Sequence, residues 1–459
     1  MIKRFYATKD NTITNAFEEN LITRGTGSNM GASDVLETFT IYGQASSSSA
    51  ESARILIQFD PDFSQVPTTG VSWYLKMFNA PHSQTVPSNF DLEILAVSSS
   101  WEEGYGLDME FYEDKTRDGI GSNWINAGSA SAWVTEGGDY HSSPSFTAEF
   151  ETGLENLEVD VTSLVDEWRA STKDNYGFGI KFPDAIEGEA KSFFTKKFFG
   201  RDSEFFFHKP VLEARWNSVR KDARGSFYAS SSLASATDNL NTLFLYNVIR
   251  GRLKDIPAVG TNDIEVSLYD SVGGVQIGST FTGSHVETGI YSCDVYAETF
   301  NESIIDVWHS GGVEYFTGSI EVKSFASTGY NPESDYVLSM PRLQKEYKKN
   351  QTHRLNLYAR EKNWSPNIYT VAVQSSIPSL ILQEAAYQIR RSIDDLIVIP
   401  YGTGSTMHTG LSYDETGNYF NLDTTYLEAG YLYDVQYCFY DEENGWEEQP
   451  YRFKFRVVD

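Results

Sequence analysis

Residues 157–168 combine the two hydrophobic periods that distinguish strands from helices. The first half alternates apolar with acidic side chains, which is the two-residue period of a half-buried strand. In the second half Leu164, Val165 and Trp168 fall on one face of a helix. The stretch therefore predicts a strand that runs directly into a short helix.

The residues flanking this helix predict how it begins and which element comes after it. Thr162 or Ser163 can cap its first turn, and Ser163 with Asp166 fits a capping box. Residues 175–177, Asn-Tyr-Gly, predict a turn, after which residues 178–182 alternate again. We expect one short helix between two strands in a chain that is otherwise all-β.

Similar alternation predicts strands through the rest of the first 217 residues. Residues 101–146 interrupt it with much Gly, Ser, Asp and Glu, which indicates a long irregular functional loop. The four serines at 46–49 predict an exposed turn. The remaining predicted strands are residues 5–13, 35–42, 53–60, 71–78, 90–97, 193–199 and 210–216.

The second half of the chain shows the same short strands at regular spacing. Residues 218–237 and 325–334 read as linkers, so we expect a first domain at 1–217 and two immunoglobulin-like β-sandwiches at 218–326 and 327–459. Gly289-Ile290-Tyr291 and Gly417-Asn418-Tyr419 occupy similar places, which suggests a diverged repeat. The strands are predicted at residues 242–248, 264–270, 289–295, 316–322, 354–359, 431–437 and 451–457.

Composition restricts the class of protein. The chain has 459 residues, enough for two to four domains, and its 14% aromatic content suits β-sandwiches. A net charge of -28 repels phosphate backbones, so we expect no nucleic-acid partner. We also expect no membrane span and no secretory signal, because no apolar stretch is long enough. Such a chain stays in the cytosol, or leaves by lysis or inside a particle.

Known chemical motifs do not stand out. The seven histidines lack metal-ligand spacing, and nucleophile elbow, Walker and dinucleotide patterns do not occur. The acidic pairs 102–103 and 442–443 lie beside Trp101 and Trp446 and could imitate a glycosidase site, although solvated loop residues explain them as well. We therefore predict no enzyme, no catalytic residue, no cofactor and no metal. Cys293 and Cys438 are expected to be unpaired core residues.

Aromatic residues supply the candidate contact site. Trp101, Trp124 and Trp133 are candidate glycan or partner contacts, because an aromatic ring can stack on a sugar face. Trp124 and Trp133 lie in the long loop, where exposure is plausible. Core packing or a protein interface is the favoured interpretation for each.

Several segments of the first 217 residues together resemble a known family. The segments 7–10, 54–60, 157–168, 175–181 and 209–216 have the order and spacing of the DNRLRE-type jelly-roll domain, which is related to carbohydrate-binding modules. The eponymous motif is matched loosely by residues 200–204. The resemblance implies a jelly-roll sandwich. Related jelly rolls often hold calcium, for which the oxygen donors would be Asp10, Asn11, Asp60 and Asp160.

The C-terminal residues carry a second resemblance. Residues 410–420 with Gly430-Tyr431 resemble the C-terminal part of structural proteins of marine tailed bacteriophages. The resemblance implies a non-enzymatic virion protein that is assembled in the host cytoplasm and decorates the capsid, neck or tail in several copies. The alternative is an adhesin that binds host-surface polysaccharide. Position on the particle, copy number and the docking domain stay open.

Overall fold

The chain folds into two compact units, Met1–Asn217 and Ser218–Asp459. Strands make up 49% of the structure and helices 6%, so the predicted all-β class is confirmed. The predicted turn at 46–49 and linker at 325–334 lie outside the described residues. A computed structural model describes residues 1–42, 50–82, 86–107, 120–189, 192–324, 335–362, 364, 368, 379–441 and 443–459.

The first unit is a β-sandwich built around strand β1. The first half of β1 pairs with β12, and its second half pairs with β3 after an irregularity between Ala7 and Lys9. One strand thus connects the two layers, in the order β8-β5-β10-β3-β1-β12-β4-β9, with β2 joining β3 to β11. The elements are β1 (Ile2–Thr14), β2 (Val35–Tyr42), β3 (Ala50–Phe59), β4 (Val71–Met77), β5 (Phe90–Val97), β6 (Asn126–Gly128), β7 (Ser131–Ala132), β8 (Tyr140–Phe150), β9 (Leu157–Asp160), α1 (Thr162–Arg169), β10 (Phe178–Lys181), α2 (Asp184–Glu187), β11 (Phe193–Phe199) and β12 (Val211–Trp216).

Helix α1 comes directly after strand β9 as predicted, and its apolar face is buried. The predicted capping by Ser163 and Asp166 is wrong, since the residue at the N-cap is Val161 and has no side-chain cap. Asp160 takes this role, because its Oδ1 accepts the Thr162 N–H at 2.9 Å. The Thr162 hydroxyl in turn accepts the backbone N–H of Trp73 at 2.8 Å, which joins the helix to β4.

Strand β8 is the main element that the sequence did not predict in this unit. Its first residues belong to the segment 101–146, which was expected to be irregular. β8 is the terminal strand of the sheet, and most of its residues are exposed or half-buried. The first half of this edge strand, residues 140–145, is mostly polar and lacks the alternation that identifies a half-buried strand, whereas Phe146, Ala148 and Phe150 alternate into the main core.

The second unit contains two sets of strands with their own cores. The first set forms a seven-stranded sheet, with β15 and β16 as a separate hairpin, and the second set forms sheets of four and six strands. The strands are β13 (Phe227–Tyr228), β14 (Asn241–Tyr246), β15 (Val248–Ile249), β16 (Arg252–Leu253), β17 (Ile264–Tyr269), β18 (Gln276–Glu287), β19 (Ile290–Val295), β20 (Ser303–Ser310), β21 (Val313–Lys323), β22 (Tyr336–Ser339), β23 (Glu346–Lys348), β24 (Thr352–Glu361), β25 (Ala385–Arg391), β26 (Leu396–Ile399), β27 (Ser412–Asp414), β28 (Gly417–Asp423), β29 (Leu432–Asp441), β30 (Gly445–Glu448) and β31 (Phe453–Val458).

The two sets repeat one pairing scheme. In each, a short strand near the start of the set pairs in parallel with the last strand: β13 with β21, and β23, which follows β22, with β31. The pairs β14–β19 and β17–β20 correspond to β24–β28 and β25–β29. Gly289 and Gly417 lie where β19 and β28 begin, with φ of 72° and 109°. The two glycines that suggested a diverged repeat therefore have the same structural role.

Residues 218–237 were predicted to be a hinge or a strand-poor linker; they contain one two-residue strand, β13, but they pack into the second unit. Phe227 is fully buried and belongs to β13. Arg224 forms a bidentate ion pair with Asp306 of β20, whose carboxylate is inaccessible. The backbone of Lys221 forms an isolated parallel β-bridge with Tyr413 in the second set of strands. The charged residues that suggested a solvated linker are paired inside the unit.

Both cysteines are buried and free, as expected from their separation in sequence. Cys293 lies in β19 and Cys438 in β29, so each belongs to a different core. Burial raises the pKa of each thiol to about 12. Both thiols are therefore inert packing groups.

Replacing Arg224 by Met should destabilise the second unit by about 3 kcal/mol, because the buried Asp306 would lose its counter-charge. The Trp308 indole N–H, 2.7 Å from the same carboxylate, would be its remaining partner. Chemical denaturation measures the loss. Lys362→Met is the control, since it breaks an exposed pair with Asp335 and should leave stability almost unchanged. Equal losses in both variants would contradict a structural role for the buried pair.

Candidate functional site

The candidate site lies on the sheet face opposite the main core of the first unit. Strand β3 is apolar on both faces: Ile55 and Ile57 point into the main core, and Leu56 points the other way. Leu56 packs into a second, smaller core that we call the tryptophan cluster. Its members are Ile13, Leu56, Val97, Trp101, Trp124, Ala127 and Trp133.

The three candidate tryptophans are buried in this cluster. Trp101, Trp124 and Trp133 are 3%, 6% and 6% exposed, so they pack in a core, and the exposure considered for the two loop indoles is not found. The Trp101 indole N–H donates to the Tyr176 carbonyl and that of Trp133 to the Asn123 carbonyl, both at 2.8 Å. These bonds satisfy the polar edge of each ring and allow its burial. Whether any of the three contacts a glycan or partner stays a prediction.

Arg54 connects the sheet to the loop that covers it. Its guanidinium donates to both carboxylate oxygens of Glu187 in α2, at 3.2 and 2.6 Å. It also donates to the Gly137 carbonyl at 2.9 Å and lies 5.0 Å from the centre of the Trp124 ring. A single cation on the outer face of β3 thus holds α2, the loop and the tryptophan cluster together.

Next to the cluster lies an open cleft of about 620 Å³. Its walls come from β3, β5, β8, β10, the start of α2 and residues 134–139. Tyr140 forms part of it, and its hydroxyl donates to the Gly137 carbonyl at 2.8 Å. A Cβ at Gly179 would lie 2.0 Å from this ring, so only glycine lets the tyrosine lie on the sheet. Burial raises the pKa of Tyr140 to about 12, and the phenol stays neutral.

Several charged groups in the cleft already have partners. Lys181 is ion-paired with Asp184 and lies 3.4 Å from a Glu93 oxygen. The hydrogen bond and charge of Lys181 lower the pKa of Asp184. The Asp139 carboxylate accepts the N–H groups of residues 134 and 135 at 2.9 and 2.8 Å, and so fixes the loop. These carboxylates are therefore structural acceptors.

The rim of the cleft carries the groups that a ligand would meet. Glu136 and Ser142 are exposed, and His141 is half-exposed. Val134 is 93% exposed at the same rim. This arrangement offers an acid, an imidazole, a hydroxyl and an apolar methyl surface to a small polar ligand.

A second set of contacts holds the start of the long loop. Glu103 forms a bidentate pair with Arg201, at 2.6 and 3.0 Å, and accepts the Asp10 N–H at 2.8 Å. Asp10 Oδ2 accepts the Arg201 N–H at 2.6 Å, while its Oδ1 is buried without a hydrogen-bond partner. The segment that loosely matches the eponymous motif thus has a structural role here.

The oxygen donors considered for calcium do not form one site. The Asn11 side chain bonds to Ser122 and to the Met30 N–H, and Asp160 caps α1. Asp60 is exposed at the end of β3. Within the part of the chain that the structure describes, no three His, Cys, Asp or Glu side chains are placed to hold a metal ion.

The acidic pair considered for a glycosidase site is held by other contacts. The Glu102 carboxylate accepts the N–H and hydroxyl of Ser129 at 2.9 and 3.1 Å, and the former bond lowers its pKa. Its neighbour Glu103 pairs with Arg201. The second pair cannot be placed, because Glu442 lies outside the described residues.

Sequence reasoning missed the residues that form the cleft. Arg54 is the lone cation on the outer face of a strong strand, and Lys181 has the same relation to β10. A charge at such a position signals that the outer face is covered, but it does not say by what. Asp139 and Tyr140 lie in the segment that was read as irregular.

Asp10→Asn should stabilise the first unit at about pH 8 by about 2 kcal/mol, and should have no effect at about pH 4. Burial raises the pKa of Asp10 to about 7, so its favourable contribution is present at low pH and is lost as pH rises through that value. Thermal unfolding across this range measures the difference. The exposed Asp60→Asn is the control, and a destabilised D10N at about pH 8 would contradict the prediction.

Among the helices of the described ranges, none is both long and apolar enough to cross a membrane.

No protein-family model and no curated protein matches this chain. Solved structures with some similarity include the Yersinia pseudotuberculosis adhesin InvE, 11% identical over 52% of this chain and 56% of that chain, with a TM-score of 0.17. The N-terminal Ig1-2 module of the Drosophila receptor protein tyrosine phosphatase DLAR is 9% identical over 48% and 91%, with a TM-score of 0.15. A Ca²⁺-stabilized, ice-binding adhesin of an Antarctic bacterium is 11% identical over 99% and 100%, with a TM-score of 0.16. Similarities this low assign no function.

Proposed function

We propose that this chain is a non-enzymatic structural protein that adheres to other surfaces through its β-sandwiches. The observation that supports binding over catalysis is the state of the cleft. Its inner charged groups, Arg54, Lys181 and Asp139, are held by ion pairs and backbone hydrogen bonds. General acid–base chemistry needs a group that is free to exchange a proton with a substrate, and here Glu136 and His141 occupy only the open rim. Groups held in this way instead make a rigid, polar recognition surface.

The finer proposal is a protein on the exterior of a tailed-bacteriophage virion, assembled in the host cytoplasm. It draws on the C-terminal resemblance of residues 410–420. The partners would be capsid, neck or tail subunits, and several copies would add avidity to weak individual contacts. The repeated sandwich of the second unit suits such a role, because it provides two rigid modules with different surfaces.

Strand β8 is the edge at which we propose that the first unit docks. It is the terminal strand of its sheet and is 11 residues long. An exposed edge offers unpaired backbone groups to a strand of a partner. Pro144 removes one backbone donor within it, which restricts the registers that a partner strand can adopt.

Purified particles give the test of the virion proposal. Quantitative mass spectrometry of gradient-purified virions should detect this chain in a constant ratio to the major capsid protein, before and after washing in salt. A host-cell protein of similar abundance serves as the control for contamination. Particles that lack the chain would exclude the virion role while leaving adhesion elsewhere open.

Carbohydrate binding is the second candidate, and the cleft beside the tryptophan cluster supports it. Its volume of about 620 Å³ is in the range of small-ligand sites. The half-exposed imidazole of His141 and the carboxylate of Glu136 could bond to sugar hydroxyls. The buried tryptophans would then support the cleft wall and leave direct contact to the rim.

A glycan array with the full chain tests this second candidate. We expect binding to host-surface polysaccharide that falls at least about tenfold in His141→Ala, because one rim hydrogen bond is lost. Glu151→Gln, an exposed change beyond the end of β8, should keep full binding. An array without any bound glycan, or equal binding by both variants, would reject the cleft as a sugar site.

A further inference from the structure

A short hairpin in the second unit differs from the rest of this acidic chain. Strands β15 and β16 form their own two-stranded sheet, and all seven residues from 248 to 254 are exposed. Val248, Ile249 and Leu253 are 56%, 39% and 41% exposed. We call residues 248–254 the basic hairpin, because its other side chains include three cations and no acid.

The cations of the basic hairpin are available to a partner. Arg250, Arg252 and Lys254 form no ion pair within the described residues, in a chain with 64 acidic and 36 basic side chains. Most other arginines in the structure, such as Arg54 and Arg224, are paired. Three unpaired cations next to three exposed aliphatic side chains are typical of a surface that binds acidic, partly apolar partners.

The hairpin is held rigidly at its base. Asn247 donates its side-chain N–H to the Lys254 carbonyl at 2.6 Å and accepts the Lys254 N–H at 3.0 Å. Asp255 accepts the Gly289 N–H at 2.6 Å and bonds to His285. A surface that is ordered before binding loses less conformational entropy when it docks.

A surface of opposite character lies at the hairpin between β29 and β30, residues 440–448. Tyr440, 48% exposed, faces Trp446 across the two strands, with ring centres 5.6 Å apart. Exposed acids surround this pair, including Glu447 and Glu448. We call the described residues 440, 441 and 443–448 the acidic hairpin. No hydrogen bond or ion pair joins it to the basic hairpin in the described part of the chain.

We propose that the basic hairpin of one copy of this chain docks on the acidic hairpin of a second copy. The guanidinium groups would lie against the Trp446 and Tyr440 rings, where cation–π attraction and nearby carboxylates both favour them. The exposed aliphatic side chains would cover the rest of the aromatic surface. This inference goes beyond the proposed function, because it names the surfaces through which two copies of the chain bind each other. It does not depend on which particle the chain belongs to.

The geometry of such a contact predicts weak, open-ended association. The two hairpins are different surfaces, so each copy offers one free surface of each kind after pairing, which gives rings or filaments. Seven to nine residues on each side bury roughly half the area of a standard interface of about 1,600 Å². We therefore expect affinity in the range of about 0.1 to 1 mM for a single contact, and stable chains only where copies are held close together.

Sedimentation velocity of the full chain tests the proposal. The mean mass should rise with concentration up to about 1 mM, and this rise should disappear in about 0.5 M salt, which screens the ion pairs. Arg250→Glu with Arg252→Glu, or Glu447→Arg with Glu448→Arg, should each lower self-association at least about tenfold. Arg342→Glu with Lys345→Glu changes the net charge by the same amount elsewhere in the unit, and should keep wild-type association.

Mixing the two reversed-charge variants gives the decisive arm. The first variant keeps the acidic hairpin and the second keeps the basic hairpin, so the wild-type contact can form between the two variants, and association should return in the mixture while it is lost from either component alone. A wild-type chain that stays monomeric at every salt concentration overturns the proposal, as does association unaffected by the reversals. Binding of the basic hairpin to vesicles with anionic phospholipid, without self-association, would also overturn it in favour of a membrane partner.

Discussion

A sheet that is apolar on both faces must be covered on both, and this requirement shapes the first unit. Strand β3 contributes Ile55 and Ile57 to the main core and Leu56 to the opposite face. Water cannot be left on Leu56 and its neighbours without a cost of about 25 cal/mol per Å² of apolar surface. The long loop covers this apolar face with Trp101, Trp124 and Trp133, which are buried against it. The cleft begins where that cover ends, so its position is a result of the packing.

Covering the sheet brings charged side chains out of water, and each is stabilised by a partner. Glu213 is fully buried; burial alone would raise its pKa, but Arg4, Lys76 and Arg215 lower it to about 2. In the second unit the buried carboxylate of Asp306 is ion-paired with Arg224. Because a buried charge without a partner costs several kcal/mol, these networks specify which strands meet. The buried ion pairs therefore help to determine how the strands pack inside each unit.

The sequence predicted most of the strands, because their alternation depends on local residues. Residues 35–42, 90–97 and 193–199 match β2, β5 and β11 end to end. What local patterns could not predict were features set by distant partners. Residues 218–237 read as a linker because Arg224 and Asp306, which form an ion pair, lie far apart in sequence. The first half of β8 lies at a sheet edge and has no apolar alternation. The burial of the three candidate tryptophans also depends on a distant partner, because the Gly-rich loop does not itself show which sheet face it covers.

In both halves of the second unit a short early strand pairs in parallel with the last strand, and this pairing has a mechanical consequence. In β13–β21 and in β23–β31 the chain enters the early strand at one end of the pair and leaves the last strand at the other. Tension applied between those points pulls the two strands past each other, so their hydrogen bonds are stretched together and not opened one after another. Each sandwich should therefore unfold abruptly when the force reaches a threshold. Below that force it should keep the length of the folded module. If the protein were attached at both ends, these sandwiches would transmit tension with little extension.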